Sequence, residues 1–263
     1  MPQSVAFDRA ADFYDETRGL PPEATPRVAA LFCRAGDLTA HSRVLDVGIG
    51  TGRISLPLAP HVHTVTGVDL SRAMLERLHA KRRGERVYPV VGDATWLPFA
   101  SGAFDAVIAV HVFHLIPGWR TALDDVARVL APGGLLLSGW NEDTRRNPCE
   151  SLLWRVWDGV VHKVRLSNVG VSHEQYETFL PDSGWRQVGD DVRLSYPVVR
   201  TVRNFVDRLE RRVWSSCWRL PDDAVTRGVA AVRAAIEEHG YDVDAPLTIE
   251  REFVVQAFVP PGE

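Results

Sequence analysis

Lysine is nearly missing from these 263 residues: of 30 basic side chains only Lys81 and Lys163 are lysines. We read that bias as the codon usage of a G+C-rich genome. Cysteine is scarce as well. Cys33, Cys149 and Cys217 are odd in number, widely spaced and form no CxxC, which excludes a disulfide framework or a zinc knot. Free thiols of this kind fit a reducing cytoplasm. No apolar stretch has the length of a membrane span. The first nineteen residues are acidic and lack an apolar core, so no secretory leader is expected. There is no excess of positive charge either. A net charge of −4 argues against a protein that coats nucleic acid and leaves room for a local basic face. Nothing in the sequence specifies an oligomeric state. What is present, 45% hydrophobic and 24% charged residues, is ordinary for a globular chain. The length suits one large α/β domain, or one domain carrying insertions.

Strand and helix patterns alternate through the first half. A helix opens at Thr25-Pro26, with Thr25 expected as N-cap and Gly36 as the stop. Arg43–Val47 reads as a strand that breaks into Gly48-Ile49-Gly50-Thr51-Gly52, followed by a helix from about Arg53. Further strands are expected at His63–Val68, Arg86–Val91, Phe104–Val110 and Gly134–Trp140, with helices after Ser71 and from Trp119 to Leu130. This alternation predicts a doubly wound α/β fold around a mostly parallel sheet. After Asn141 the pattern turns helical: Ser151–Arg165, His173–Leu180, Thr201–Trp214 and Asp222–His239, with strands at Gln187–Leu194 and Thr248–Val259. We therefore expect a core over residues 1–140 and a continuation of the same domain over 141–263. Two excursions, about 141–187 and 197–246, are too long for turns and are expected to form a helical substrate cap.

The loop after the first strand carries the main chemical signal. A glycine-rich turn between strand and helix exposes backbone N–H groups at a helix N-terminus. The spacing here is GxGxG, unlike the GxGxxG of dinucleotide folds, which disfavours a nicotinamide-dependent oxidoreductase. Asp46 stands just before the turn. Asp69 follows the second strand, where a carboxylate can accept from both hydroxyls of a ribose. Asp93 follows the third, placed to accept from an exocyclic amino group while the Ala94 N–H faces a ring nitrogen. Three acids at successive strand ends, with no Lys or Ser/Thr set for phosphate, describe a nucleoside ligand without a phosphate chain.

The stretch Val44–Arg53, with Val68-Asp69-Leu70-Ser71, Gly92-Asp93-Ala94 and Arg128–Gly134, resembles the class I S-adenosylmethionine-dependent methyltransferases. The likeness is closest to the small-molecule branch related to ubiquinone and menaquinone biosynthesis, and it covers roughly residues 5–140. It implies a seven-stranded sheet whose last strand is antiparallel, and S-adenosylmethionine as cofactor. By the same resemblance Gly48 and Gly50 line the methionine moiety, with Asp46 and Arg53 in the same motif. Asp69 holds the ribose, Leu70 packs on the adenine, and Asp93 with Ala94 reads its edge. The family more often has Cys or Ser where this chain has Ile49. Ala11–Pro22 looks like the leader that relatives fold over the cofactor, which makes Tyr14 and Arg18 candidate contacts to the methionine carboxylate.

Methyl transfer from a sulfonium is an in-line displacement that needs a base only when the nucleophile arrives protonated. His111 and His114 follow the fourth strand. His111 is expected to line the cofactor pocket and His114 to act as base or substrate orienter, against the plainer reading of two loop imidazoles bonded to backbone. A metal at these histidines, or at His61 and His63, lacks further ligands, so no metal is expected. Trp154, Trp157 and Tyr176 fit an aromatic wall over substrate, though helical spacing favours core packing. Seven arginines between 193 and 219 fit an anion-attracting face, though such runs usually form solvated helix faces. The leading expectation is an enzyme that methylates a small molecule. A binding protein that kept the cofactor site without transferase activity is the alternative.

Overall fold

Apolar runs too short to be helices form the middle of the sheet. The structure, a computed structural model, describes residues 4–145, 147–162, 164 and 169–262. In β1 (Arg43–Val47) the side chains of Val44, Leu45 and Val47 are wholly buried, as expected of a strand covered on both faces. The other strands are β2 (Thr64–Asp69), β3 (Val87–Val91), β4 (Phe104–Val110), β5 (Leu130–Arg145), β6 (Arg186–Thr201) and β7 (Pro246–Val259). They form one sheet in the order β3-β2-β1-β4-β5-β7-β6. The pairs β1–β2, β1–β4, β2–β3 and β4–β5 are parallel. From β1 the chain moves outward to β2 and β3, then returns to place β4 on the other side of β1. That reversal opens a crevice beyond the carboxyl ends of β1 and β4, where open α/β sheets bind ligands.

The helices are α1 (Tyr14–Arg18), α2 (Thr25–Ala35), α3 (Ser55–Leu58), α4 (Arg72–Lys81), α5 (Trp119–Val129), α6 (Pro148–Val161), α7 (His173–Asp182), α8 (Val202–Glu210) and α9 (Asp222–Glu238). Thr25 does not cap α2. Ala24 occupies the cap and the Thr25 hydroxyl donates to the Pro21 carbonyl at 3.1 Å. The helix expected from Arg53 is one turn of α-helix followed by a 3₁₀ turn at Ala59–His61, because Pro57 and Pro60 remove backbone donors there. The helix expected from Ser151 starts earlier, where the Asn147 side chain accepts from the Cys149 N–H at 2.9 Å; its expected end, Arg165, lies outside the described residues. Strand β6 runs past Leu194 to Thr201, whose hydroxyl caps α8.

The chain packs as two units: 1–141 with 168–194 and 253–263, and 142–167 with 195–252. The expected division is into residues 1–140 and 141–263 of one domain. The excursion expected over 141–187 is itself divided. Its second helix, α7, belongs to the first unit, because Tyr176 and Leu180 are buried with Phe113, Trp119 and Trp185 against the sheet. There the Tyr176 ring stacks on Phe113 with centroids 5.3 Å apart. The second unit closes its own core from α6, α8 and α9, around Leu153, Trp157, Phe205, Leu209 and Val232. Trp157 packs where Gly228 has no side chain; a Cβ at Gly228 would meet its ring at 2.6 Å. Among the described residues no helix is long and apolar enough to cross a membrane.

Candidate functional site

The Gly48–Gly52 turn is built by its neighbours as much as by its own glycines. The Gly48 and Ile49 N–H groups donate to the Val68 carbonyl of β2 at 2.8 and 3.2 Å. Gly48 has φ +75°, and a Cβ there would stand 2.7 Å from Val112 Cγ2, so a side chain is excluded on two counts. Ile49 is buried against Gly67, whose missing side chain makes its room; a Cβ on Gly67 would meet Ile49 Cδ1 at 2.1 Å. The contact explains why an apolar residue fits at this position of the turn.

Asp69, at the tip of β2, faces this turn. One carboxylate oxygen accepts from the Gly50 N–H at 2.8 Å and the other from the Ser71 N–H at 2.8 Å. Burial raises its pKa, and those N–H bonds oppose the rise. Asp46 lies beneath, only 3% exposed, with the Ser55 hydroxyl donating to it at 2.6 Å. Loss of solvent pushes its pKa up to about 7, with the Asp69 charge adding to the rise and the Ser55 bond and Arg53 opposing it. Asp93 closes a turn after β3, where Oδ1 accepts from the Thr95 N–H at 2.9 Å and hydroxyl at 2.8 Å. The neighbouring Ala94 is buried and Leu70, beside Asp69, is half-buried.

Across the crevice, the end of β4 supplies His111, Val112 and the 3₁₀ turn Phe113–Leu115. His111 has φ +51°, a left-handed backbone that is uncommon for a residue other than glycine. Its surface is open to water, yet burial lowers its pKa to about 3, with Arg53, His114 and Arg18 contributing. His114 is lowered to about 4, first by burial and then by Arg18, and is neutral at physiological pH. The two imidazoles differ in their bonds. His111 Nε2 meets the Asn141 N–H at 3.1 Å, whereas the His114 ring makes no hydrogen bond among the described residues.

The leader is anchored residue by residue, and the sequence reading missed how. The Asp8 carboxylate accepts from the Ser71 hydroxyl at 2.6 Å, Asp12 pairs with Arg77, and Asp15 accepts from the Thr51 hydroxyl at 2.6 Å and Lys81 Nζ at 2.8 Å. Acids at positions 8, 12 and 15, one face of a helical spacing, were the available signal. Arg53 Nη1 donates to the Arg18 carbonyl at 2.8 Å, tying the leader to the glycine turn. The Tyr14 ring lies edge-on to Phe7, with centroids 6.0 Å apart.

The remaining candidates are core or surface. Trp157 is wholly buried in the second unit, with Trp154 packed against the same core, and Tyr176 is buried in the first, so the three make no common wall. In the arginine run, Arg203 forks onto Asp244 at 2.7 and 2.8 Å, Arg212 pairs with Asp222, and Arg208 lies over the Trp214 ring. Arg203 thereby passes over Asp207, the partner that helical spacing offers. Among the described residues no three His, Cys, Asp or Glu side chains converge as metal ligands.

Residues 45–138 match the model of a methyltransferase domain. The chain is 37% identical over 136 residues to a demethylmenaquinone methyltransferase of Tropheryma whipplei, across 50% of this chain and 55% of that one. It thus spans about half the length of the curated relatives it matches. A Haemonchus contortus phosphoethanolamine N-methyltransferase 2, solved with phosphomonomethylethanolamine and S-adenosylhomocysteine, superposes with TM-score 0.53 at 21% identity over 97% of this chain and 58% of that one. The [4+2]-cyclase SpnF does so with TM-score 0.56 at 23% identity, over 93% and 85%. The fold is that of class I methyltransferases, a Rossmann-like α/β sheet of seven strands.

Proposed function

We propose that the chain transfers a methyl group from S-adenosylmethionine to a small-molecule acceptor, with the crevice between the β1 and β4 loops as the cofactor site. The observation that carries this reading is Asp69: a carboxylate fixed by two backbone N–H groups at a strand tip, beside a turn whose Gly48 admits no side chain. Its two oxygens offer about four acceptor positions, so capacity is left for a ribose hydroxyl. The residues present fit the group. Asp93, the Ala94 N–H and Leu70 suit the adenine. Gly48, Gly50, Arg53, Arg18, Tyr14 and His111 suit the amino-acid end, over the buried Asp46. When bound, S-adenosylmethionine supplies a methyl carbon on a sulfonium. The chain's own part is to align an acceptor with that carbon and exclude water. His114, neutral and unbonded, is suited to accept a hydrogen bond from a protonated acceptor; its low pKa makes it an orienter and a weak base.

The test is formation of S-adenosylhomocysteine with acceptors of several classes. Quinols are assayed first, given the likeness to a demethylmenaquinone methyltransferase. Turnover that collapses in His114→Ala, with cofactor affinity intact, supports the assignment. SpnF, a cyclase on the same fold, gives a second reading its basis: a class I sheet does not fix the reaction. Tight cofactor binding with no methyl transfer to any class would favour that reading.

A further inference from the structure

His111 and Asn141 form a pair that the cofactor motifs do not include. The Asn141 backbone N–H points at His111 Nε2 from 3.1 Å, and the Asn141 side-chain oxygen lies 3.3 Å from the same atom. These contacts make opposite demands on Nε2. A backbone N–H is only a donor, so Nε2 must present its lone pair to it; the side-chain amide, in contrast, can turn its nitrogen toward the ring. The backbone contact therefore decides the tautomer: Nε2 is unprotonated and the proton sits on Nδ1. His111 is neutral, and its left-handed backbone sets the ring's direction. Arg53 and Arg18 act electrostatically on the ring, so its surroundings favour an anion.

We propose that Asn141 is a positioning residue that holds His111 as its Nδ1–H tautomer, so that His111 donates a hydrogen bond to the carboxylate of an amino-acid-bearing ligand in the crevice. This rests on the cofactor reading above and extends it. His111 is thereby a fixed donor that cannot serve as a base through Nε2.

The experiment joins a spectroscopic and a binding readout. Nitrogen-15 NMR of the histidine rings in the wild-type protein should show His111 protonated at Nδ1 and unchanged between pH 5.5 and 8. Asn141→Asp, which keeps the backbone N–H donor, should leave the proton on Nδ1. Calorimetry then compares S-adenosylhomocysteine with 5′-methylthioadenosine, which has the nucleoside and no carboxylate. In His111→Asn an amide nitrogen stands near the Nδ1 position on a residue type that tolerates left-handed backbone. In His111→Gln the nitrogen falls near Nε2. The Asn variant should keep S-adenosylhomocysteine affinity within a few-fold. The Gln variant should lose about tenfold or more, the range for a hydrogen bond to a charged group, while 5′-methylthioadenosine binds both as it binds wild type. Protonation at Nε2 in the wild type, or equal losses for both ligands, overturns the proposal. Failure of the wild type to bind either ligand overturns the cofactor reading, and the tautomer measurement still stands on its own.

Discussion

Both units pair charges, as Asp12 with Arg77 and Asp15 with Lys81 in the first, but the first also sets polar groups at strand tips with bonding capacity to spare. In the first, Asp69, Asp93, His111 and His114 stand at strand tips around the crevice, each fixed by its fold position and each keeping hydrogen-bonding capacity. In the second, charged groups meet one another: Arg251 bonds Asp143 at 2.7 Å, Arg203 forks onto Asp244, and Glu150 lies 3.5 Å from Arg200 with both side chains largely buried. Paired charges hold a fold together, while a ligand needs groups that are placed but not fully used. By that criterion the proposed nucleoside site falls in the first unit.

The largest expected effect separates the units by stability. Trp157→Ala removes a wholly buried indole from the core of the second unit, and truncations of this kind cost about 3–5 kcal/mol. Chemical denaturation should report that loss, while the folded variant keeps its affinity for S-adenosylhomocysteine; a matching loss of affinity would break the contrast. Next is Asp69→Ala. Losing charged hydrogen bonds to the ribose should cost about 2–3 kcal/mol of binding, up to about a hundredfold in Kd, measured by calorimetry. Unchanged affinity in a folded variant would remove Asp69 from the site.

The smallest effect is a pH dependence. Because the folded-state pKa of Asp46 is raised to about 7, the folded chain holds a proton there that the unfolded chain has released above about pH 4. That contribution to stability is lost as pH rises through 7. Asp46→Asn imitates the protonated form, so its melting temperature relative to wild type should climb between pH 5 and pH 8. The two histidines act in the opposite direction but are common to both proteins. A difference independent of pH would contradict the assignment.

Local pattern made the sheet legible. The GxGxG turn, the acids after β2 and β3 and the apolar run of β4 all announce themselves within a few residues, so the residues at those strand tips could be named in advance. Partnerships across long stretches of chain could not. Asp15 meets Thr51 and Lys81, Asp8 meets Ser71, and Ile49 settles on Gly67; nothing local marks one as the other's partner. The placement of α7 failed for a related reason: its amphipathic face reads the same whether it packs on the sheet or in a separate helical unit. Asn141 carried no signal at all, because its contact to His111 is made partly through the backbone.

A crystal structure with S-adenosylhomocysteine tests most directly the proposal that an adenosyl group binds at the tips of β1, β2 and β3. Both ribose hydroxyls should lie within hydrogen-bond distance of the Asp69 carboxylate, with the adenine edge at Asp93 and Ala94. A nucleoside seated elsewhere, or an Asp69 carboxylate turned away from the sugar, would contradict it.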